Sequence, residues 1–97
     1  PYTPSTAIVR EYQSRMAEAG QKELDFSSIE GFMTAKLFVE GLRRAGRNPT
    51  RDSLIAGLES MKEFNLGGFI VNYGPNNHMG STYTDLTIVG RGGKFVR

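Results

Sequence analysis

The sequence predicts an α/β chain, three helices followed by two or three short strands. Three observations carry that prediction. Apolar residues recur at helical spacing in three successive stretches, each with start and stop signals of its own. The period then changes from 3.6 to 2 at Phe69. The strands that follow are too few for an independent sheet, because an isolated hairpin is marginal in water. They read as strands lacking their neighbours.

The first helix is expected from Ser5 to Ala19, with Thr3-Pro4 as N-cap and first-turn proline. Ile8, Val9, Tyr12, Met16 and Ala19 share one face; Arg10, Glu11, Gln13, Ser14 and Glu18 share the other. Gly20 ends it, and Gln21 to Phe26 is a short polar link. The second helix, Ser28 to Ala45, is the element around which the chain is organised. Ser27 followed by Glu30 has the form of a capping box. Arg43 and Arg44 suit a helix C-terminus, and Gly46 suits the left-handed position after it. Phe32, Ala35, Phe38, Val39, Leu42 and Ala45 form the apolar arc expected to face the core.

Two features of this helix leave alternatives open. Met33 and Leu37 lie outside the main arc, among the charges. They are either a flank of the same core or the sign of burial on two sides. Gly41 sits mid-helix, where it costs about 1 kcal/mol relative to alanine. It is either tolerated or reserved for close approach of another backbone. Phe26 precedes the expected cap but has no staple partner, because the matching position is Gly31. It packs into the core or faces a cleft.

Arg47-Asn48-Pro49 makes a tight connection, and Thr50 caps a third helix expected from Arg51 to Lys62. Leu54, Ile55, Leu58 and Met61 form its apolar stripe, and Asp52 suits its first turn. Glu63 to Gly68 reads as a turn. Phe69 to Tyr73 reads as a strand with Phe69, Val71 and Tyr73 on one side. Gly74 to Ser81 is a loop rich in turn formers. Tyr83 to Val89 is a second β segment, Gly90-Arg91-Gly92-Gly93 turns, and Lys94 to Val96 closes a short hairpin.

Composition narrows the function classes. Ninety-seven residues allow one domain at most. Hydrophobic residues make up 38% and charged residues 23%, which favours a folded over a disordered chain. The 12 basic residues are scattered among 10 acidic ones, with no run that interleaves cations and stacking aromatics, so no nucleic-acid partner is expected. There is no cysteine, which excludes disulfides and thiolate metal sites. No apolar run approaches the roughly 20 residues of a membrane span. The opening PYTPSTAIVRE has neither the basic nor the apolar region of a signal peptide and no initiator methionine, so the chain is expected to begin inside a longer reading frame.

No catalytic constellation stands out, and the chain is not expected to be an enzyme. His78 is the single histidine, and Ser81 three residues on makes only a weak nucleophile–base pair. Asn76, Asn77, His78 and Asp85 offer too few carboxylates for calcium and too few imidazoles for zinc. Gly90-Arg91-Gly92-Gly93 lacks the lysine and the following helix of a phosphate loop. No metal and no cofactor is expected.

The second half carries an ordered set of marks. Glu30-Gly31-Phe32 opens a helix and Ala45-Gly46 closes it, and Pro49-Thr50-Arg51 starts the next. Gly67-Gly68 precedes a strand; Pro75-Asn76 with His78 and Gly80 makes the loop; Gly93-Lys94-Phe95 comes near the end. From Ser27 to Arg97 this closely resembles the C-terminal part of bacterial extracellular solute-binding proteins of the branched-chain amino acid (Leu/Ile/Val) type, which feed ABC transporters. Where the family usually has tyrosine after Glu-Gly, this chain has Phe32. The hydroxyl, and any polar role at that site, is therefore missing.

The resemblance implies a fragment of a two-lobe type I periplasmic binding protein fold. Residues 1–74 would complete the first lobe, residues 75–85 form the last crossover, and residues 86–97 join the second lobe. It places Phe26, Ser27 and Ser28 at the rim of the ligand cleft, with Ser27 asked either to cap its helix or to face ligand. The implied partners are an amino acid or small carboxylate and an ABC-transporter permease, and the implied location is periplasmic or extracellular. The isolated chain is expected to lose useful ligand binding and, with apolar faces and strand edges uncovered, to form dimers or higher assemblies. Two other readings stay open. One is an independent interaction module docking through Met33, Leu37 and its strand edges. The other is the ligand-binding domain of a sensory receptor.

Overall fold

The computed structural model describes residues 5–96. Three helices come first: α1 (Ala7–Glu18), α2 (Phe26–Ala45) and α3 (Arg51–Glu59). Two antiparallel hairpins follow. β1 (Phe64–Asn65) pairs with β2 (Ile70–Val71), and β3 (Ile88–Val89) pairs with β4 (Phe95–Val96) across a short 3₁₀ turn at Arg91–Gly93. Among the described residues the two ladders do not join into one sheet. The Cα radius of gyration is 15.6 Å. A compact domain of this length would have about 13 Å, so parts of the chain stand away from the core.

α1 starts at Ala7 after an extended Thr6 that makes no side-chain cap. The expected cap at Thr3-Pro4 lies outside the described residues. The helix start is tied instead to the β1–β2 turn: the Ile8 amide donates to the Gly67 carbonyl at 2.8 Å. Gly67 has φ +115°, and a Cβ there would meet the Ile8 nitrogen at 2.9 Å. Its conformation and its contact thus both call for glycine. Ile8 and Tyr12 are buried from this face.

α2 begins earlier than expected, and its cap is not Ser27. Asp25 is the N-cap, accepting from the Ser28 amide, while the Ser28 hydroxyl answers the Asp25 amide. The capping box is therefore Asp25–Ser28. An aspartate is at least as good a cap as serine, and here it starts the helix at Phe26. Ser27 becomes the second helical residue, and Glu30 plays no part in the cap.

The flank of α2 that is covered also differs from the predicted arc. α3 crosses at a pair of glycines. A Cβ on Gly57 would meet the Gly41 carbonyl oxygen at 2.8 Å, and a Cβ on Gly41 would meet Leu58 Cδ2 at 2.7 Å. Gly57 thus admits the α2 backbone, while Gly41 makes room for the Leu58 and Leu54 side chains. Met33 and Leu37 are half-buried and, with Ile29, line a groove of about 250 Å³ against Phe69, Val71 and Tyr73. Phe32 and Leu66 contribute to a second groove, of about 390 Å³, crossed by the Lys36–Glu11 ion pair at 2.6 Å. α2 is therefore covered on two sides. Phe38 and Val39, predicted to be core, are 50% and 63% exposed. The reason is geometric: α3 seats on Gly41 and the hairpin on Met33 and Leu37, which leaves the stripe through Ala35 and Phe38 facing outward.

α3 is capped by Thr50 in a reciprocal box with Ser53. It stops at Glu59 rather than Lys62. Ser60 Oγ donates to the Gly57 carbonyl at 2.6 Å, and Glu63 takes φ +45°, turning the chain into β1. The segment expected as a turn, Glu63 to Gly68, thus contains a strand. Asn65 Oδ1 accepts from the amides of Gly67 and Gly68 at 2.9 and 2.6 Å, so the hairpin bends around that side chain. Met61, fully buried, accepts from the Tyr73 amide through its carbonyl at 2.7 Å and fastens the end of α3 to the chain leaving β2.

Beyond Tyr73 the order is more local. Gly74 and Asn77 form a small bridge, and the Asn72 amide donates to the Gly80 carbonyl at 2.8 Å. Of the expected segment Tyr83 to Val89, only Ile88–Val89 is strand. The rest uses short-range bonds such as the Leu86 amide to Asp85 Oδ1 at 2.9 Å. The closing hairpin does form, with Val89 opposite Phe95.

Candidate functional site

The N-terminus of α2 gathers the three candidate binding residues, and the capping box sorts them. Ser28 is the third helical residue, so its side chain turns back toward the cap. Its hydroxyl lies 2.5 Å from the Tyr12 hydroxyl and donates to the Asp25 carbonyl at 3.2 Å. Its amide donates to Asp25 Oδ1 at 2.6 Å. Ser28 is thus engaged inside the fold. The Asp25 carboxyl is held below its usual value, first by the Ser28 amide bond and then by the Ser28 side chain. A carboxylate there also suits the positive end of the helix dipole.

Phe26 and Ser27, the first two helical residues, face outward. Ser27 is exposed. Phe26 is 48% exposed, and its ring meets the Phe95 ring edge-on, with centroids 5.1 Å apart. Such pairs are worth about 0.5–1.5 kcal/mol beyond their burial. The β3–β4 hairpin therefore reaches the start of α2. Phe32, one helical turn beyond Ser28, is half-buried against Tyr12 with ring centroids 5.9 Å apart. It belongs to the packing between α1 and α2.

The residues weighed for chemistry take other partners. His78 Nε2 lies 2.8 Å from Glu59 Oε2, and Ser81 Oγ accepts from the Tyr83 amide at 3.1 Å. The pair therefore has the wrong connections for a nucleophile and its base. Asn77 Nδ2 donates to the Asn72 carbonyl, and its Oδ1 accepts from the Met79 amide. Among the described residues no group of three His, Asp or Glu side chains could hold a metal ion. Glu40 is the most perturbed carboxyl, drawn down to about 2 by hydrogen bonds from Arg43 and then Arg44. Arg44 also stacks over Phe64 at 5.2 Å, so this cluster ties α2 to β1.

Sequence reasoning missed Asp25, Tyr12 and Phe95. Asp25 was recoverable, because Asp-x-x-Ser is itself a capping pattern. Nothing local marks Tyr12 or Phe95, whose roles depend on which elements meet.

With this geometry in place, the comparisons with known proteins are informative. A family model described as "Periplasmic binding protein" matches residues 1–94. The crystal structure of a substrate-binding periplasmic protein from Ralstonia solanacearum is similar at a TM-score of 0.83 and 34% identity, over 95% of this chain and 27% of that one. The chain thus spans about a quarter of that relative's length, and its α/β architecture is that of a part of the periplasmic binding protein fold. No curated protein matches the chain.

Proposed function

The chain belongs to the periplasmic binding protein family, and from that membership we propose that it is the C-terminal part of a solute-binding protein that captures amino acids or related small carboxylates. The captured solute passes to an ABC-transporter permease in the membrane, and the protein works in the periplasm without catalysing a reaction. The observation that carries this reading is the family match over residues 1–94, joined to an outward-facing first turn of α2. No helix among the described residues is long and apolar enough to cross a membrane, which is compatible with a periplasmic carrier.

In this reading residues 1–74 complete one lobe, residues 75–85 cross over, and residues 86–97 join the other lobe. Two features support the division. The helices and the first hairpin precede residue 75, and the β3–β4 ladder is separate from the first. Phe26 and Ser27 then stand at the cleft rim, where Phe26 supplies apolar contact and Ser27 a hydroxyl. Ser28 acts behind them by holding the turn. Lobe closure removes water from the cleft and so strengthens the few polar contacts that fix the ligand. The rival reading, docking through Met33 and Leu37, has less to stand on, since both side chains are half-buried against the first hairpin.

Calorimetric titration of the longer protein carrying this chain tests the proposal, with leucine, valine, phenylalanine and glutamate as probes. Saturable binding that weakens in Phe26→Ala is expected, while the 97-residue chain alone gives no tight binding. Absence of binding to every amino acid and small carboxylate tried would overturn it.

A further inference from the structure

Tyr12 is fully buried, yet it is the residue of α1 that touches the candidate rim. Its hydroxyl meets both ends of the α2 capping box. The Asp25 amide donates to Tyr12 Oη at 3.2 Å, and Tyr12 Oη lies 2.5 Å from Ser28 Oγ. Ser28 Oγ in turn donates to the Asp25 carbonyl at 3.2 Å. A phenol has one proton to give and lone pairs to accept with. Two assignments satisfy every group: the phenol donates to serine and serine to the Asp25 carbonyl, or serine donates to the phenol, whose oxygen lies 3.4 Å from that same carbonyl; in either, the Asp25 amide donates to the phenol and lies 3.4 Å from Ser28 Oγ. The three residues thus form a closed ring of hydrogen bonds, fixed to α1 by a phenol with no solvent contact.

We infer that Tyr12 is the positioning residue of the rim. It acts through Asp25 and Ser28 to hold the first turn of α2 in the one orientation that presents Phe26 and Ser27 outward. Three observations point the same way. The ring is held from the side by Phe32 at 5.9 Å, so the hydroxyl has little freedom to move. Asp25 and Ser28 are consumed by the ring, while the two residues between them are exposed. And α1, through the Ile8 bond to Gly67, is itself fastened to the first hairpin, giving the phenol a fixed base. A rim held this way loses less freedom on meeting a ligand. The inference rests on the proposed ligand-facing role of Phe26 and Ser27, but its structural half can be tested separately.

The test uses Tyr12→Phe, which keeps the ring and removes only the oxygen. In the 97-residue chain, amide hydrogen exchange at Ser28 and Ile29 is expected to speed up roughly fivefold to tenfold, as for loss of one good hydrogen bond. Amides of α3 should be unchanged. Ser28→Ala should give a similar effect, and the double variant little more than either alone, since both break the same ring. In the longer protein, the same variant should speed dissociation of whichever probe amino acid binds, with association unchanged. Uniform loss of protection along the chain, or additive single effects, would overturn the positioning role. Faster exchange at Ser28 and Ile29 with no change in probe dissociation would overturn the link to the rim. If no amino acid binds the unaltered longer protein, the proposed function fails, while the exchange data still decide whether Tyr12 holds the turn.

Discussion

The helical half and the C-terminal stretch handle apolar residues in opposite ways. Between Ile8 and Val71 a core forms, in which Tyr12, Met61, Leu66 and Val71 are almost wholly buried and two glycines let α2 and α3 come together, although Phe38, Val39 and Ile55 stay exposed on its outer side. From Met79 onward the same residue types stand in solvent. Met79 is 77% exposed, Leu86 89% and Ile88 67%. The difference lies in neighbours rather than composition. A helix makes its own backbone bonds and needs a partner for one stripe only, whereas a two-residue ladder has open edges and two open faces. The first region holds the packed core, and most large apolar side chains of the second are left uncovered by this chain.

The sharpest way to break this contrast is to disturb the helix crossing. Gly57→Ala would place a methyl against the Gly41 carbonyl oxygen, which is backbone and cannot turn aside. The overpacking outweighs the gain in helix propensity, and a net loss of about 2 kcal/mol is expected from urea unfolding. Gly41→Ala meets Leu58 Cδ2 and Cγ at 2.7 and 2.9 Å and Leu54 Cδ1 at 3.2 Å, which are side chains rather than backbone. It should cost less than Gly57→Ala, because side chains can shift and alanine gains about 1 kcal/mol in helix propensity. Equal losses at the two sites would show that the helices do not cross as described.

The next effect in size concerns the start of α2. Asp25→Ala removes the cap and should cost about 1 kcal/mol, while Ser27→Ala should leave stability unchanged within about 0.3 kcal/mol. The pair separates stability from binding: in the longer protein, Ser27→Ala is expected to alter ligand affinity alone. A stability loss at Ser27 would return the cap to the position the sequence favoured.

Much of the helical half was legible because its signals are local. Thr50, Gly20, Gly46 and the 3.6-residue period are read within one or two turns, and the helices lie close to where they predict. The shift of the α2 cap by two residues shows the limit of such signals: Asp25 and Ser27 both suit the position, and the Tyr12 hydroxyl lies beside Asp25 and Ser28. The strand Phe64–Asn65 was hidden for another reason. Its pairing depends on the Asn65 side chain bending the turn at Gly67 and Gly68, so the residues that read as a turn are half of a hairpin. The exposed face at Phe38 and Val39 was not legible at all, because periodicity says which residues share a side and not what covers it. Within the candidate site, Phe26, Ser27 and Ser28 were named together as candidates by resemblance. Their division into two outward residues and one engaged in the box required the fold.

A smaller effect comes from the arginine cluster that closes the packed half. The Glu40 carboxyl sits near 2 in the folded chain against an ordinary 4.5, because Arg43 and Arg44 donate to it. A lowered folded value means a contribution that is complete above about pH 4.5 and fades as the pH falls toward 2. Solvent reduces it to the order of 1 kcal/mol or less. Unfolding of Glu40→Gln and the unaltered chain should therefore differ at neutral pH and converge in acid. A difference that persists at pH 2 would mean that Glu40 acts through packing.

The smallest expected change in stability lies in the exposed stretch, and there it tells the most about the comparison. Leu86→Ser and Val89→Ser remove apolar groups that the chain itself does not bury. Each should change the free energy of unfolding in urea by no more than about 0.5 kcal/mol. Their effect should appear instead in assembly. The uncovered faces at Phe38, Ile55 and the β3–β4 hairpin are expected to draw isolated chains into dimers or larger species, since exposed apolar surface and open strand edges seek partners. Sedimentation of the unaltered chain should show that association, and the two serine variants should reduce it without unfolding the helices. A stable, monodisperse monomer would mean that the second region needs no outside surface, and the contrast between the two halves would fall with it.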